Sequence, residues 1–246
     1  MNLTNFRLYI SQFNWLIVIF TLLVFSGLIK LGIWQTARAI EKEQRIERIT
    51  NYQSSASLSL KALLELQGND EDINDIPVKI KGEFDGEKVF LIDNQTHKGR
   101  LGYRVLQILT LEKASVLINL GWIEGFIDRS KLPKVASVSG IHEISGNVRL
   151  VEKGIVLSEQ IFEHPQWPLR VQTIDIEQFS QLISQKLLPF VVYLDTKEPI
   201  GFEKNWRPIV MPPEKHTGYA VQWLTLAIAW LSLMIWASYK TYQSKD

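Results

Sequence analysis

The sequence predicts a mainly β domain, an antiparallel barrel or sandwich with a short helix, flanked by two transmembrane α-helices. Three observations carry that expectation. Both ends of the 246-residue chain hold long apolar runs, at 14–34 and 219–239. Between Pro77 and Leu194, short apolar or alternating runs recur between turn signals, as they do in sheet-built domains. Little helical pattern separates those runs, which favours antiparallel neighbours over strand–helix–strand units. The expected order is a tail at 1–13, a first span at 14–34, the β-rich domain with a helical stalk and a proline-rich tether at 35–218, a second span at 219–239, and a tail at 240–246.

The first span is free of charge from Trp15 to Ile29, close to the roughly 20 apolar residues that cross a bilayer as a helix. Trp15 and Trp34 stand near its ends, where interfacial aromatics belong, and Lys30 is near enough to the end to snorkel. A cleaved signal peptide is the rival reading, since Ala37-Arg38-Ala39 offers a small-residue cleavage pattern. The apolar segment is longer than a signal peptide's, and the region before it holds one basic residue, Arg7. Those features favour an uncleaved anchor. Residues 38–50 are rich in helix formers, and Glu41 and Arg45 stand four apart in the favourable order. The helix is therefore expected to run on past the bilayer as a stalk.

The acidic stretch 67–75 imitates a calcium loop but has Asp75 at the glycine position and Lys81 at the position of the bidentate glutamate, so it is read as a plain loop. Strands follow at 78–84 and 89–93, with Asp85-Gly86 expected to turn a hairpin between them. A second pair, 103–111 and 116–120, flanks Glu112-Lys113. Further strands are expected at 141–150, 169–175 and 190–194, with a short helix at 176–186. Pro199, Pro208, Pro212 and Pro213 stiffen a tether over 196–215.

Composition excludes several classes of function. The formal net charge is +1, which gives no electrostatic case for nucleic acid. The chain has no cysteine, which removes disulfides, thiolate nucleophiles, thiolate metal sites and covalent haem attachment. His142-Glu143 opens a metalloprotease pattern, but Gly146 stands where its second histidine belongs. Nucleophile elbow and phosphate-loop patterns are also missing. The chain reads as a protein without catalysis of its own.

His97, His142 and His164 are isolated in sequence and read as ordinary polar residues. His216 is different, because it stands at the mouth of the second apolar helix. In a helix starting near it, His216, Ala220, Trp223, Ala227 and Trp230 share one face, with Tyr219 beside them. Two readings of that face are physical. It suits a haem lying along the helix with the imidazole on iron, and it equally suits an interfacial aromatic belt with small residues for helix–helix contact. On the first helix, Trp34, Gln35 and Arg38 form the matching feature. Arg38 can meet an anionic group such as a haem propionate, or serve with Trp34 as an interfacial anchor.

These residues together resemble the Surfeit locus protein 1 family. The resemblance rests on Gly32-Ile-Trp34-Gln35-Thr-Ala-Arg38 with Lys42, on Asp93-Asn-Gln-Thr, on Gly99-Arg-Leu-Gly102-Tyr, on Val116-Leu-Ile-Asn119-Leu-Gly121-Trp122, and on His216-Thr-Gly-Tyr219-Ala220-Val-Gln222-Trp223. It runs from about 14 to 238. The chain departs from the family where Leu120 and Gln95 stand in place of arginines. The resemblance implies a membrane-anchored assembly factor for haem-copper cytochrome c oxidase that assists haem a delivery or insertion into the large subunit. His216 would be the ligand to haem iron, and His216, Trp223, Tyr219, Trp34, Gln35 and Arg38 the cofactor-binding set. Implied partners are the oxidase large subunit, the haem a synthesis machinery and membrane lipid. A scaffold or accessory subunit of a respiratory complex that binds no haem is the alternative.

The short lead before the first helix, without an Arg- and Ser-rich presequence, points to a bacterial member in the inner membrane. Basic residues flanking the spans are more numerous on the domain side, which by itself would keep the domain in the cytoplasm. That rule governs short loops, and long domains cross largely regardless of charge. The resemblance places the domain in the periplasm.

Overall fold

In the computed structural model of the protein, residues 15–54, 57–151, 162 and 165–243 are described. The expected tail 1–13, His164 and residues 244–246 lie outside them. The chain divides into a helical unit, 1–48 with 209–246, and a sheet unit, 49–208.

The helical unit is built from α1 (Trp15–Ser54) and the last helix of the chain (Pro213–Gln243). Both are long and apolar enough to cross a membrane, which fits a membrane-anchored protein. The apolar span and the charged stalk form one uninterrupted helix of 40 residues. The last helix opens on Pro213, whose fixed φ and missing N–H suit a first helical position, with Glu214 in the first turn and Lys240 in the last, as the helix dipole favours. His216 therefore stands inside the first turn.

The sheet unit contains β1 (Leu58–Ser59), α2 (Leu60–Gly68), β2 (Pro77–His97), β3 (Arg100–Thr110), β4 (Ser115–Glu124), β5 (Gly140–Leu150), β6 (Leu169–Val171), α3 (Ile176–Ile183) and β7 (Leu187–Leu194). The last helix is α4. Pairing runs β1-β2-β3-β4-β7-β5, and β5 also pairs with β2. The expected all-antiparallel sheet is instead mixed, because β1–β2, β2–β6 and β4–β7 are parallel. Apolar alternation within a strand is the same beside either kind of neighbour, so it does not carry that distinction.

Asp85-Gly86 does not turn a hairpin. Residues on both sides of it pair with β3, Phe84 with Leu109 and Val89 with Gln107, so β2 is one 21-residue strand with a large bulge. The bulge forms because its polar groups are satisfied locally. Asp85 Oδ1 accepts from the backbone N–H groups of Glu87 and Lys88 at 3.0 and 3.3 Å. The fully buried Gln107 donates from Nε2 to Asp85 O and Val138 O, each at 3.0 Å, and accepts from Val138 N–H. One further expectation is revised. The strand expected at 169–175 ends at Val171, and Asp175 instead caps α3, accepting from Gln178 N–H at 2.9 Å. Leu60–Gly68 is helical, its N-cap Ser59 accepting from Ala62 N–H.

The sheet buries residues on both faces. Val89 and Leu91 join one apolar cluster with Tyr103, Val105, Ile118 and Phe190. Phe90 and Ile92, pointing the other way, join Leu106, Ile108, Leu117 and α3's Phe179. Phe90 stacks on Phe179 with centroids 4.2 Å apart and meets Trp167 edge-on at 5.1 Å. Each such buried ring or aliphatic chain contributes about 1.5–3 kcal/mol relative to exposure.

Candidate functional site

Within the helical unit, His216 and Gln35 face each other across α4 and α1. His216 Nδ1 lies 2.7 Å from Gln35 Oε1, and the histidine is buried at 8% exposure. An amide oxygen only accepts, so in this contact Nδ1 is the donor, and a neutral imidazole in this pose would carry its lone pair on Nε2. Gln35 is His216's one hydrogen-bond partner among the described residues. A histidine held through one nitrogen, with the other presented as a base, is the arrangement found behind metal-ligating imidazoles.

The two helices approach closely near this pair. A Cβ on Gly32, one turn before Gln35, would meet Leu224 Cδ2 at 2.9 Å and stand 3.6 Å from Ala220 O. Ala220 and Ala227 are buried at 5% and 0% exposure. Farther along, Trp230 Nε1 donates to Thr21 O at 3.2 Å and its ring meets Phe20 edge-on at 6.0 Å. Much of the α4 face that could carry a macrocycle is thus engaged in helix contact. His216 is the side chain of that face that carries a metal-ligating nitrogen.

Of the other sequence-predicted residues, Trp34 and Arg38 come together, with the guanidinium 5.9 Å from the Trp34 ring centroid. Arg38 also pairs with Glu41 at 2.6 Å, both side chains about half exposed. Such a pair contributes about 0–1 kcal/mol, so Arg38 can exchange Glu41 for another anion at little cost. Trp34 is half exposed and so is Tyr219, while Trp223 is partly buried. The side chains of Tyr219 and Trp223 make no hydrogen bond or ring contact with a described residue. No group of three His, Cys, Asp or Glu side chains able to hold a metal ion occurs among the described residues. A single buried imidazole suits iron whose other ligands come with a macrocycle.

The remaining described histidines have ordinary partners. His97 Nε2 is 2.7 Å from Glu203 Oε1, and His142 Nε2 is 3.0 Å from Ser139 O.

The motif residues of the sheet unit collect at one end of β3 and β4. Trp122 Nε1 donates to Gln95 O at 2.8 Å, and Arg100 stacks on the Trp122 ring at 5.5 Å. Asn119 Oδ1 accepts from Gly121 N–H at 2.9 Å, closing the bulge at which β4 slips register against Val105 and Leu106. Gly121 has φ +116°, and a Cβ there would lie 2.9 Å from Glu203 O. The chain after β7 docks here. Phe202 N–H donates to Leu120 O, while Trp122 and Glu203 exchange backbone bonds. Lys98 and His97 draw the Glu203 carboxyl below the usual range. Leu120 lies fully buried in the core, and Gln95 folds back so that its Nε2 donates to Asp93 O at 3.0 Å.

Residues 22–228 match the model of the SURF1 family, a range that includes all six candidate site residues and the whole motif cluster. The chain belongs to the SURF1 family. It is also 26% identical over 223 residues to a SURF1-like protein of Rickettsia felis (strain ATCC VR-1525 / URRWXCal2), a match covering 87% of this chain and 93% of that relative. SURF1 proteins are known generally as cytochrome oxidase assembly factors, a family of assembly and not of catalysis. The sequence resemblance thus identified the family correctly. It named Gln35 without the role that the structure provides, since no local pattern links Gln35 to a histidine 181 residues away.

Proposed function

We propose that this protein assists delivery or insertion of haem a into the large subunit of a haem-copper cytochrome c oxidase, from a bacterial inner membrane with its sheet domain in the periplasm. The observation that carries this reading is the Gln35–His216 pair. Its hydrogen bond orients the imidazole with Nε2 turned away from Gln35, and through that nitrogen His216 would hold the iron of a porphyrin. Arg38, stacked on Trp34 and lightly held by Glu41, is the cation for a propionate. Trp223 and Tyr219, without polar or ring partners of their own, supply flat apolar surface beside His216. One protein ligand, rather than several, makes release to an acceptor feasible, as a carrier requires.

The second reading is a scaffold that binds no haem. It is favoured by the burial of Ala220 and Ala227 and by the engagement of Trp230 with α1. The two readings part in one experiment. The protein is purified from a haem-a-producing host and its visible spectrum recorded, and oxidase content is measured in a strain lacking the gene. Bound haem a with reduced oxidase content supports delivery. Reduced oxidase content without bound haem supports the scaffold, and normal oxidase content under conditions that require the enzyme overturns both.

A further inference from the structure

The described sheet unit leaves five large apolar side chains exposed, Leu64, Leu101, Phe126, Ile127 and Ile141. Three of them gather at the end of β3 and β4. Gly125 N–H donates to Leu101 O at 3.0 Å, which sets Leu101 beside the residue that leads into Phe126 and Ile127. Ile127 is fully exposed and Phe126 is 53% exposed. Scattered apolar residues on a surface need no explanation, but a gathered group marks a contact surface.

Most charges around this tip are paired, while Arg170 donates to the Arg129 carbonyl at 2.8 Å. Arg100 pairs with Glu124 at 2.7 Å, Lys98 with Glu203 at 3.1 Å, and Lys131 with Asp128 at 3.5 Å. The tip thus has no excess of acid to be repelled by lipid phosphate, and the Arg170 guanidinium beside it is a cation that lipid phosphate can meet. The same end of the sheet receives the outgoing chain through the Trp122–Glu203 bridge. Residues 204–212 alone separate Glu203 from the start of α4 at Pro213, a tether of at most about 35 Å when fully extended. A surface joined so shortly to a helix that fits a membrane span always has a bilayer within reach, at a local concentration that a soluble partner does not match.

We propose that the Leu101–Phe126–Ile127 tip inserts into the headgroup layer of the bilayer that holds the two helices. An aromatic and two aliphatic side chains suit that boundary. This inference rests on membrane anchoring and not on haem binding.

The absence of cysteine makes the test direct. The full-length chain carrying Ile127→Cys is labelled with an environment-sensitive fluorophore and placed in phosphatidylethanolamine–phosphatidylglycerol nanodiscs. The same label at Glu71→Cys, an exposed loop position, is the reference. The label at 127 is expected to shift to shorter wavelength and lose most of its emission when lipids doxyl-labelled near the headgroup are included, while the label at 71 does neither. Equal emission with and without doxyl lipid at position 127 overturns the proposal. So does shielding from aqueous iodide without quenching by lipid, which would mean that protein covers the tip. Phe126→Cys repeats the measurement if Ile127→Cys is poorly produced.

Discussion

Replacing Gln35 by leucine isolates the chemistry of His216 from its presence. The side chain keeps nearly the same volume but loses the oxygen 2.7 Å from Nδ1. The imidazole is buried at 8% exposure, so water replaces that acceptor poorly, and a buried donor left unsatisfied costs about 1–3 kcal/mol. The imidazole can avoid that cost by turning, or by moving its proton to Nε2. Either response removes the correctly aimed lone pair. At 1.4 kcal/mol per tenfold, the loss in affinity for an iron porphyrin is about 5- to 150-fold, in line with the 10- to 100-fold typical of partners behind metal ligands. Gln35→Glu retains an acceptor and should retain binding within a few-fold. Two measurements check this. Nitrogen NMR of histidine-labelled protein in lipid nanodiscs, without haem, should show the Nδ1–H form in the native chain and its loss in Gln35→Leu. Haem a titration should show the weakened affinity. An unchanged tautomer in Gln35→Leu refutes the hydrogen-bond argument itself. A changed tautomer with unchanged affinity spares that argument and removes His216 as the ligand.

Three further outcomes are expected. His216→Ala should strip bound haem while leaving the thermal midpoint within a few degrees, whereas Arg38→Ala should weaken binding by about 1 kcal/mol, because its exposed site gives a single contact little strength; parallel haem titrations compare the two. Gly121→Ala should destabilise the sheet domain by about 1–3 kcal/mol in thermal or denaturant unfolding, since φ +116° and a contact of 2.9 Å to Glu203 O both oppose a Cβ. Acid should loosen the 200–203 segment from β4. Lys98 first, then His97, holds the folded Glu203 carboxyl below its ordinary value of 4.5. A depressed carboxyl contributes stability that is present above its unfolded value and is lost as pH falls through the folded one. Tryptophan emission from Trp122 should therefore change below about pH 4.5 in the native chain, and the acid dependence should be smaller in Glu203→Gln.

The β-strands at 116–120, 141–150 and 190–194 were legible because alternating or continuous apolar runs bounded by turns are a local signal, and so were the two long apolar helices. Gln35 and His216 were legible as residues of interest from their places at the ends of the two apolar helices and from the family resemblance, but not as partners, and the Leu120 departure had no visible meaning until its side chain was found in the core. The hairpin expected at Asp85-Gly86 was the natural local reading of a turn dipeptide. It lost because Gln107, distant in sequence, donates to Asp85 O in the bulge, while Val138 holds the Gln107 amide from the other side.

From sequence alone came what depends on composition and period: the absence of thiol chemistry, two apolar spans, a sheet-rich middle and membership of a family. The tertiary structure decided what depends on partners far apart in the chain. It made β2 one strand instead of two, mixed parallel with antiparallel pairing, seated Glu203 on Trp122, and turned His216 toward Gln35. Hydrophobic periodicity reports which face of an element is buried. Which donor meets which acceptor is settled only when packing brings the elements together, because a buried polar group must find its partner wherever the fold supplies one.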